Sequence, residues 1–229
     1  MSLPARYSRN CEALSQEECA LLASKRVAVV GAGGLGGSVI EALVRIGVGY
    51  LRVIDGDVFE ESNLNRQLLS TEGGLGSPKA LAAASRAAAV NSTVQLEPVV
   101  EYLGEGNAAR LLAGADCVVD CLDNLEARFW MARTAGELGI PVVYGAIAGW
   151  FGQVCTVLPG DASFAEVYGS TEGTSQHKKL GNLPFTAYAV AACQAAECVK
   201  LLCGREGLLR NRLLMLDLLD GSAEEMPLA

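Results

Sequence analysis

The run Val27-Ala28-Val29-Val30 delivers the chain directly into Gly31-Ala32-Gly33-Gly34-Leu35-Gly36. An apolar strand that passes at once into a glycine-rich turn and then a helix leaves few folds open. Glycines at this spacing allow a tight turn and let backbone N–H groups approach a phosphate, which then lies at the positive end of the new helix. The turn alone is a weak signal. It gains weight from Asp55, which ends the next apolar run, Tyr50–Ile54, about 20 residues on, where a dinucleotide-binding βαβ unit places its ribose acid.

The rest of the chain continues this alternation. Ser15, with Glu18 three residues later, reads as a capping box for a short helix over 15–24. Strands are predicted at Arg26–Val30, Tyr50–Ile54, Val94–Val100, Cys117–Cys121 and Pro141–Ala146. Helices fall between them at Leu35–Ile46, from Pro78 to Ala89, at Asn107–Ala113 and at Leu125–Leu138. Cys117-Val118-Val119 is apolar without a break, as suits a parallel strand covered on both faces. After Gly149 the pattern changes. Phe151–Leu158 follows so closely that it must run antiparallel, and Asp161–Asn182 reads as a polar crossover loop. Tyr188, Ala192, Ala195, Val199 and Leu202 form a helical stripe, Arg212–Leu219 a last strand, and the remainder a tail to Ala229. The expected fold class is α/β, a doubly wound, Rossmann-like and mostly parallel sheet with an antiparallel C-terminal extension. The expected organisation is one domain over 1–229: an N-terminal arm (1–24), a nucleotide-binding core (25–147), and a crossover loop with C-terminal helix and strands (148–229).

Composition sets limits on function. A formal charge of −8 argues against a general nucleic-acid binder, though not against a local nest for phosphates. Eight cysteines are present, but none are spaced as CxxC, so no structural zinc site is expected. Cys117, Cys121, Cys155, Cys193, Cys198 and Cys203 lie in core patterns and read as reduced thiols of a cytoplasmic protein. Leu183–Leu202 is apolar but interrupted by Gln194, Glu197 and Lys200, which marks a buried helix rather than a membrane span.

Chemistry gathers after Asp55. Asp57 follows, then Ser62-Asn63-Leu64-Asn65-Arg66-Gln67, then Gly76-Ser77-Pro78-Lys79, and farther on Asp120-Cys121-Leu122-Asp123-Asn124 at a strand end. Ligands of open α/β sheets bind at the carboxyl ends of the strands, where the glycine turn, Asp55 and Asp123 all fall. Two cations, a carboxylate suited to magnesium and a glycine nest describe a polyphosphate site. An NAD-dependent oxidoreductase would use the glycine turn and Asp55 but leave Asn63–Gln67, Lys79 and Asp123 without a role. A non-catalytic nucleotide-binding member of the fold would not need the cations.

Five ordered segments resemble the ThiF/MoeB/HesA family, relatives of the ubiquitin-activating enzymes. They are RYSRN at Arg6–Asn10, GAGGLGG at Gly31–Gly37, DGDVFEESNLNRQ at Asp55–Gln67, GSPKA at Gly76–Ala80 and DCLDN at Asp120–Asn124. The resemblance implies ATP-dependent adenylation, with Mg2+, of the C-terminal glycine carboxylate of a ubiquitin-like sulfur carrier ending in Gly-Gly. Such carriers serve molybdopterin or thiamine biosynthesis. Carried over by position, Gly31, Gly33, Gly34 and Gly36 shape the nucleotide turn, and Asp55 binds the ribose. Asp57, Asn63, Arg66 and Gln67 line the nucleotide, Arg66 being the main cation. Lys79 contacts phosphate and Asp123 holds magnesium. Arg9 is expected to reach the site of the neighbouring subunit in a homodimer. Asp161–Asn182 contains no cysteine, unlike the crossover loop of many relatives, which implies an external sulfur donor. Adenylation of a peptide carboxylate or a tRNA base is the related alternative. Asp120 reads as a supporting residue, His177 as a loop residue without partners, and Trp130 and Trp150 as packing, Trp150 near enough to a strand end to border a carrier-tail channel.

Overall fold

A computed structural model describes residues 4–161, 163–168 and 180–228. Eight strands form one sheet in the order β3-β2-β1-β4-β5-β6-β7-β8. β1 (Arg26–Val30), β2 (Tyr50–Ile54), β3 (Gln95–Val99), β4 (Cys117–Asp120) and β5 (Val142–Ala148) are parallel. β6 (Phe151–Val157), β7 (Arg212–Asp217) and β8 (Ser222–Pro227) extend the sheet antiparallel. The order reverses between β1 and β4, which opens the crevice where such sheets take their ligands.

Seven helices are described: α1 (Gln16–Leu22), α2 (Gly34–Ile46), α3 (Lys79–Val90), α4 (Ala108–Leu112), α5 (Leu125–Glu137), α6 (Ser163–Tyr168) and α7 (Pro184–Leu202). One core joins α1, α2, α3 and α7 to one face of the sheet, and a second joins α4 and α5 to the other. α1 starts with the capping box its sequence implies: Ser15 Oγ accepts from Glu18 N at 3.2 Å and Glu18 returns the bond to Ser15 N at 2.7 Å. α7 is long and apolar enough to cross a bilayer. In this fold it is a core helix. Gln194 and Glu197 on its inner face are fully or nearly fully buried, and Glu197 accepts from Thr156 Oγ1 and Leu209 N, both at 2.7 Å.

Two expectations need correction. The segment read as a tail holds β8, in which Ser222–Pro227 pairs antiparallel with Arg212–Asp217 although all six of its residues are exposed. The crossover loop opens with a helix, α6, whose Val167 packs on the α4–α5 face. His177 lies outside the described residues.

Candidate active site

The glycine turn is built as its spacing implies. Gly31 has φ +97°, its N–H donates to Ile54 O at 2.8 Å, and any side chain at Gly36 would meet the Gly31 carbonyl at 1.8 Å. The turn therefore closes directly onto α2. The first N–H groups of α2 have no partner upstream within the helix, and Gly33, its N-cap, supplies no side chain to them. Asp55 stands beside the turn, accepting from Ala32 N at 2.7 Å and Asp57 N at 2.8 Å. Burial raises its carboxyl above the usual carboxylate range despite these donors.

The loop between β2 and α3 folds over this edge. Two short 3-10 turns, Glu61–Asn63 and Glu72–Gly74, give the polar stretch its shape. Asn63 is buried and braces the first turn, its Oδ1 accepting from Glu60 N at 3.0 Å. Its carbonyl accepts from Arg66 N and Gln67 N, and so sets the next two side chains. The Arg66 stem passes 3.6 Å from the position a side-chain carbon would take on Gly34, and its Nη1 rests on Ser62 O and Asn65 Oδ1 at 3.1 and 2.9 Å. Gln67 is buried against Gly33, and its Oε1 has no hydrogen-bond partner among the described residues. A buried acceptor without a donor is costly. The amide nitrogen of Gln67, not this oxygen, is the atom nearest the turn, 3.6 Å from where a side-chain carbon on Gly33 would sit. The space that side chains at Gly33 and Gly34 would fill is bordered by Gln67 and Arg66, a cradle that fits a nucleotide phosphate.

Lys79, the first residue of α3, is buried and donates to Asp57 Oδ2 at 2.7 Å. Partial burial of Asp57 disfavours its charged form, but the hydrogen bond and charge of Lys79 outweigh this and hold the carboxyl below its usual range. Asp123 lies just past β4 and is exposed. Among the described residues no cluster of three or more His, Cys, Asp or Glu side chains could hold a metal ion. Magnesium beside a nucleotide needs only one or two carboxylates, because phosphates supply further oxygens, and Asp123 fits that demand.

Support for the Asp123 loop was not foreseen from sequence. β4 and β5 pair only through Val118↔Val142 and Val119↔Val143 and then splay. Arg128 of α5 fills the gap on one face. It donates to Leu122 O at 2.9 Å and Gly145 O at 2.8 Å, with its Nε 3.7 Å from the carboxylate of Asp120. Asp120, fully buried, accepts from Leu122 N at 3.0 Å. On the other face Gln194 of α7 donates to Asp120 O at 2.8 Å, and only a glycine at 145 leaves room for its amide. The residues flanking Asp123 are thus pinned from both sides of the sheet, and Asn124 caps α5 by accepting from Ala127 N at 3.0 Å. A lone Arg five residues after Asp123, on a helix face otherwise lined by Met131, Ala132 and Ala135, was the available signal.

The structure does not bring Arg9 to this site in its own chain. Its 3-10 helix, Ala5–Asn10, is anchored where Tyr7 packs on Gly47 and accepts from Asn91 Nδ2 at 2.7 Å. Gly47 and Asn91 precede β2 and β3, at the amino ends of the strands. The glycine turn lies a full helix length away, roughly 20 Å for α2 at 1.5 Å per residue. Trp150 is exposed rather than packed inside and pairs with Phe185 at 4.8 Å between ring centroids. The neighbouring Ala187 of α7 touches the side of the glycine turn at Gly34. Cys117, Cys121, Cys155 and Cys198 are buried; burial drives the Cys121 thiol up and Cys155 to about 12, which makes them poor nucleophiles.

Residues 7–229 match the ThiF family, and the chain belongs to it. It is 37% identical to the SAMP-activating enzyme E1 of Haloferax volcanii, a match that covers 97% of this chain and 84% of that protein. It is 36% identical to the sulfur carrier protein adenylyltransferase of Thermus thermophilus, over 87% of this chain and 77% of the relative. Among solved structures, E. coli MccB with ATP superposes with a TM-score of 0.83 at 19% identity, covering 100% of this chain and 72% of that one. At that identity the likeness concerns the fold.

Proposed function

We propose that this ThiF-family adenylyltransferase activates the C-terminal glycine carboxylate of a ubiquitin-like sulfur carrier as its acyl-adenylate. The observation that carries the reading is one sheet edge with a capless, glycine-lined helix start, a half-buried ribose-type acid (Asp55), the cations Arg66 and Lys79, and the exposed Asp123. A dehydrogenase has no use for the last three.

In the reaction a carboxylate oxygen of the carrier forms a bond to the α-phosphorus of ATP. The bond from that phosphorus to the bridging oxygen breaks, and its electron pair leaves with pyrophosphate. No enzyme nucleophile is needed, so the residues work by placement and charge. Asp55 accepts from the ribose hydroxyls, and the Gln67 amide borders the glycine turn beside the phosphates. Arg66 leaves Ser62 and Asn65 for the phosphates, and Lys79 stabilises charge developing on the transferred group. Magnesium, held by Asp123 and the nucleotide, would neutralise phosphate charge. Asp57 and Asn63 shape the loop. Arg9, anchored at the far end of its own chain, serves the site of a second subunit, so the working form is a cytoplasmic homodimer. Sulfur then comes from an outside donor, since the described cysteines near the sheet are buried.

The test is ATP–pyrophosphate exchange with a carrier ending in Gly-Gly. Exchange should require the carrier, and mixing Arg9→Ala chains with Lys79→Ala chains should restore part of the activity lost by each. Exchange that ignores the carrier would sink the acceptor assignment, and full activity in a strictly monomeric species would sink the role of Arg9.

A further inference from the structure

Asp57 sits among the nucleotide residues of the loop, yet its carboxylate is already committed. Oδ1 accepts from Val58 N at 3.0 Å, and Oδ2 accepts from the Lys79 ammonium at 2.7 Å. The backbone fixes both partners. Lys79 N donates to Asp57 O at 3.0 Å, Phe59 N to Ser77 O at 3.1 Å and Gly76 N to Phe59 O at 2.8 Å, so 57–59 and 76–79 form a small antiparallel staple closed by the Val58↔Pro78 bridge. Asp57 N in turn donates to Asp55 Oδ1 at 2.8 Å. A continuous chain of bonds therefore runs from the glycine turn through Asp55 and Asp57 to Lys79.

The energetics demand such a partner. The Lys79 side chain is only 7% exposed, while that of Asp57 is 48% exposed. A buried ammonium without a counter-charge is costly. It also stands at the first residue of α3, whose N-cap, Pro78, offers no side-chain bond, and a positive charge is disfavoured at that helix end. An anion must sit there whether or not ATP is bound.

We propose that Asp57 is a positioning residue for adenylation. It holds the Lys79 ammonium in place between turnovers and shares it with the ATP phosphates during them, without touching nucleotide or metal itself. This rests on the reading of Lys79 as the phosphate cation. Two consequences separate it from a nucleotide-binding role. Removing the carboxylate removes a competitor for the ammonium, so ground-state affinity for ATP holds or tightens. It also frees the ammonium from its set orientation, so turnover falls. The signature is a loss in kcat without a rise in KM.

The experiment compares wild type with D57N, D57E, K79A and the D57N/K79A double variant. Binding of a non-hydrolysable ATP analogue with Mg2+ is followed by calorimetry, and carrier-dependent pyrophosphate exchange by kinetics. D57N should bind the analogue as tightly as wild type or more so and lose about ten- to a hundredfold in kcat, up to the cost of a catalytic group misplaced by about 1 Å. D57E should recover part of that loss. In the K79A background, D57N should change analogue binding no further. Weaker binding by D57N that persists without Lys79 would place the carboxylate on nucleotide or metal and overturn the assignment, as would wild-type kcat in D57N. Failure of the wild-type chain to bind the analogue would instead overturn the nucleotide site, and this assignment with it.

Discussion

The Asp55–Lys79 loop and the splayed ends of β4 and β5 meet at the same sheet edge but are held by opposite means. In the loop, polar groups are set mostly by partners within the loop itself: Asp55 holds Asp57 N, Asn63 holds Glu60 N, Arg66 rests on Ser62 and Asn65, and Lys79 pairs with Asp57 across its two ends. At the splay, Asp123 is placed by groups brought from afar. Gln194 lies 74 residues from the Asp120 carbonyl it caps, and Arg128 reaches 17 residues to Gly145. The loop is thus a local device whose polar ends remain available to a ligand. The splay is a buried scaffold whose polar ends are used up in holding shape. Damage in the first should cost chemistry, and damage in the second should cost stability.

That contrast can be broken most decisively at Arg128. Arg128→Leu leaves the fully buried Asp120 without its guanidinium. The expected loss of folding stability is about 3–5 kcal/mol, the penalty for stripping a buried charge of its partner. Chemical denaturation of the variant measures it. A change under about 1 kcal/mol, the scale of an exposed ion pair, would mean the splay is no scaffold, and the two regions would not differ as described.

Asp123→Ala separates the exposed tip of the splay from the buried scaffold that places it. The residue is exposed, and its neighbours rather than itself hold the loop. Exchange should fall by about 100-fold, or about 2.7 kcal/mol of transition-state stabilisation, while the melting temperature stays within a degree or two. A stability loss as large as that of Arg128→Leu would erase the distinction.

The smallest effect concerns pH. On the proposed reading, ribose hydroxyls would favour the carboxylate of Asp55, whose carboxyl is raised by burial in the free chain. Below that raised pKa, binding must release a proton, so nucleotide affinity should weaken as pH falls through it, at a pH above the ordinary aspartate range. Calorimetric titrations between about pH 4 and 7 would trace the limb, and Asp55→Asn should flatten it. A limb unchanged in Asp55→Asn would assign it to another group.

The same contrast explains what was legible in the sequence. The glycine turn and Arg66 were readable because near neighbours and backbone pattern fix them; Asp55 and Lys79, whose partners Ala32 and Asp57 lie 23 and 22 residues away, were readable through the ordered motifs that carry them. α1 announced itself through Ser15 and Glu18, and β1, β2 and β4 through apolar runs. β8 was missed because Ser-Ala-Glu-Glu-Met-Pro has no alternation to betray a strand; it exists by pairing with β7. α6 was missed inside a stretch that read as loop by composition. Arg128 carried only the signal of a lone cation on an apolar helix face and Gln194 none for its partner, since their partners become neighbours only when β4, β5, α5 and α7 assemble. Asp57 was legible as part of the motif but not as the counter-charge of Lys79, a pairing set by the fold of the intervening loop.

The most direct test of adenylation is to catch its product. The chain is mixed with Mg2+, ATP and a carrier ending in Gly-Gly, with pyrophosphatase to draw off the leaving group, and the carrier is weighed intact by mass spectrometry. The expected result is a carrier heavier by one AMP, absent when Lys79→Ala replaces wild type. An unmodified carrier, from a chain that binds NAD tightly and ATP not at all, would contradict it.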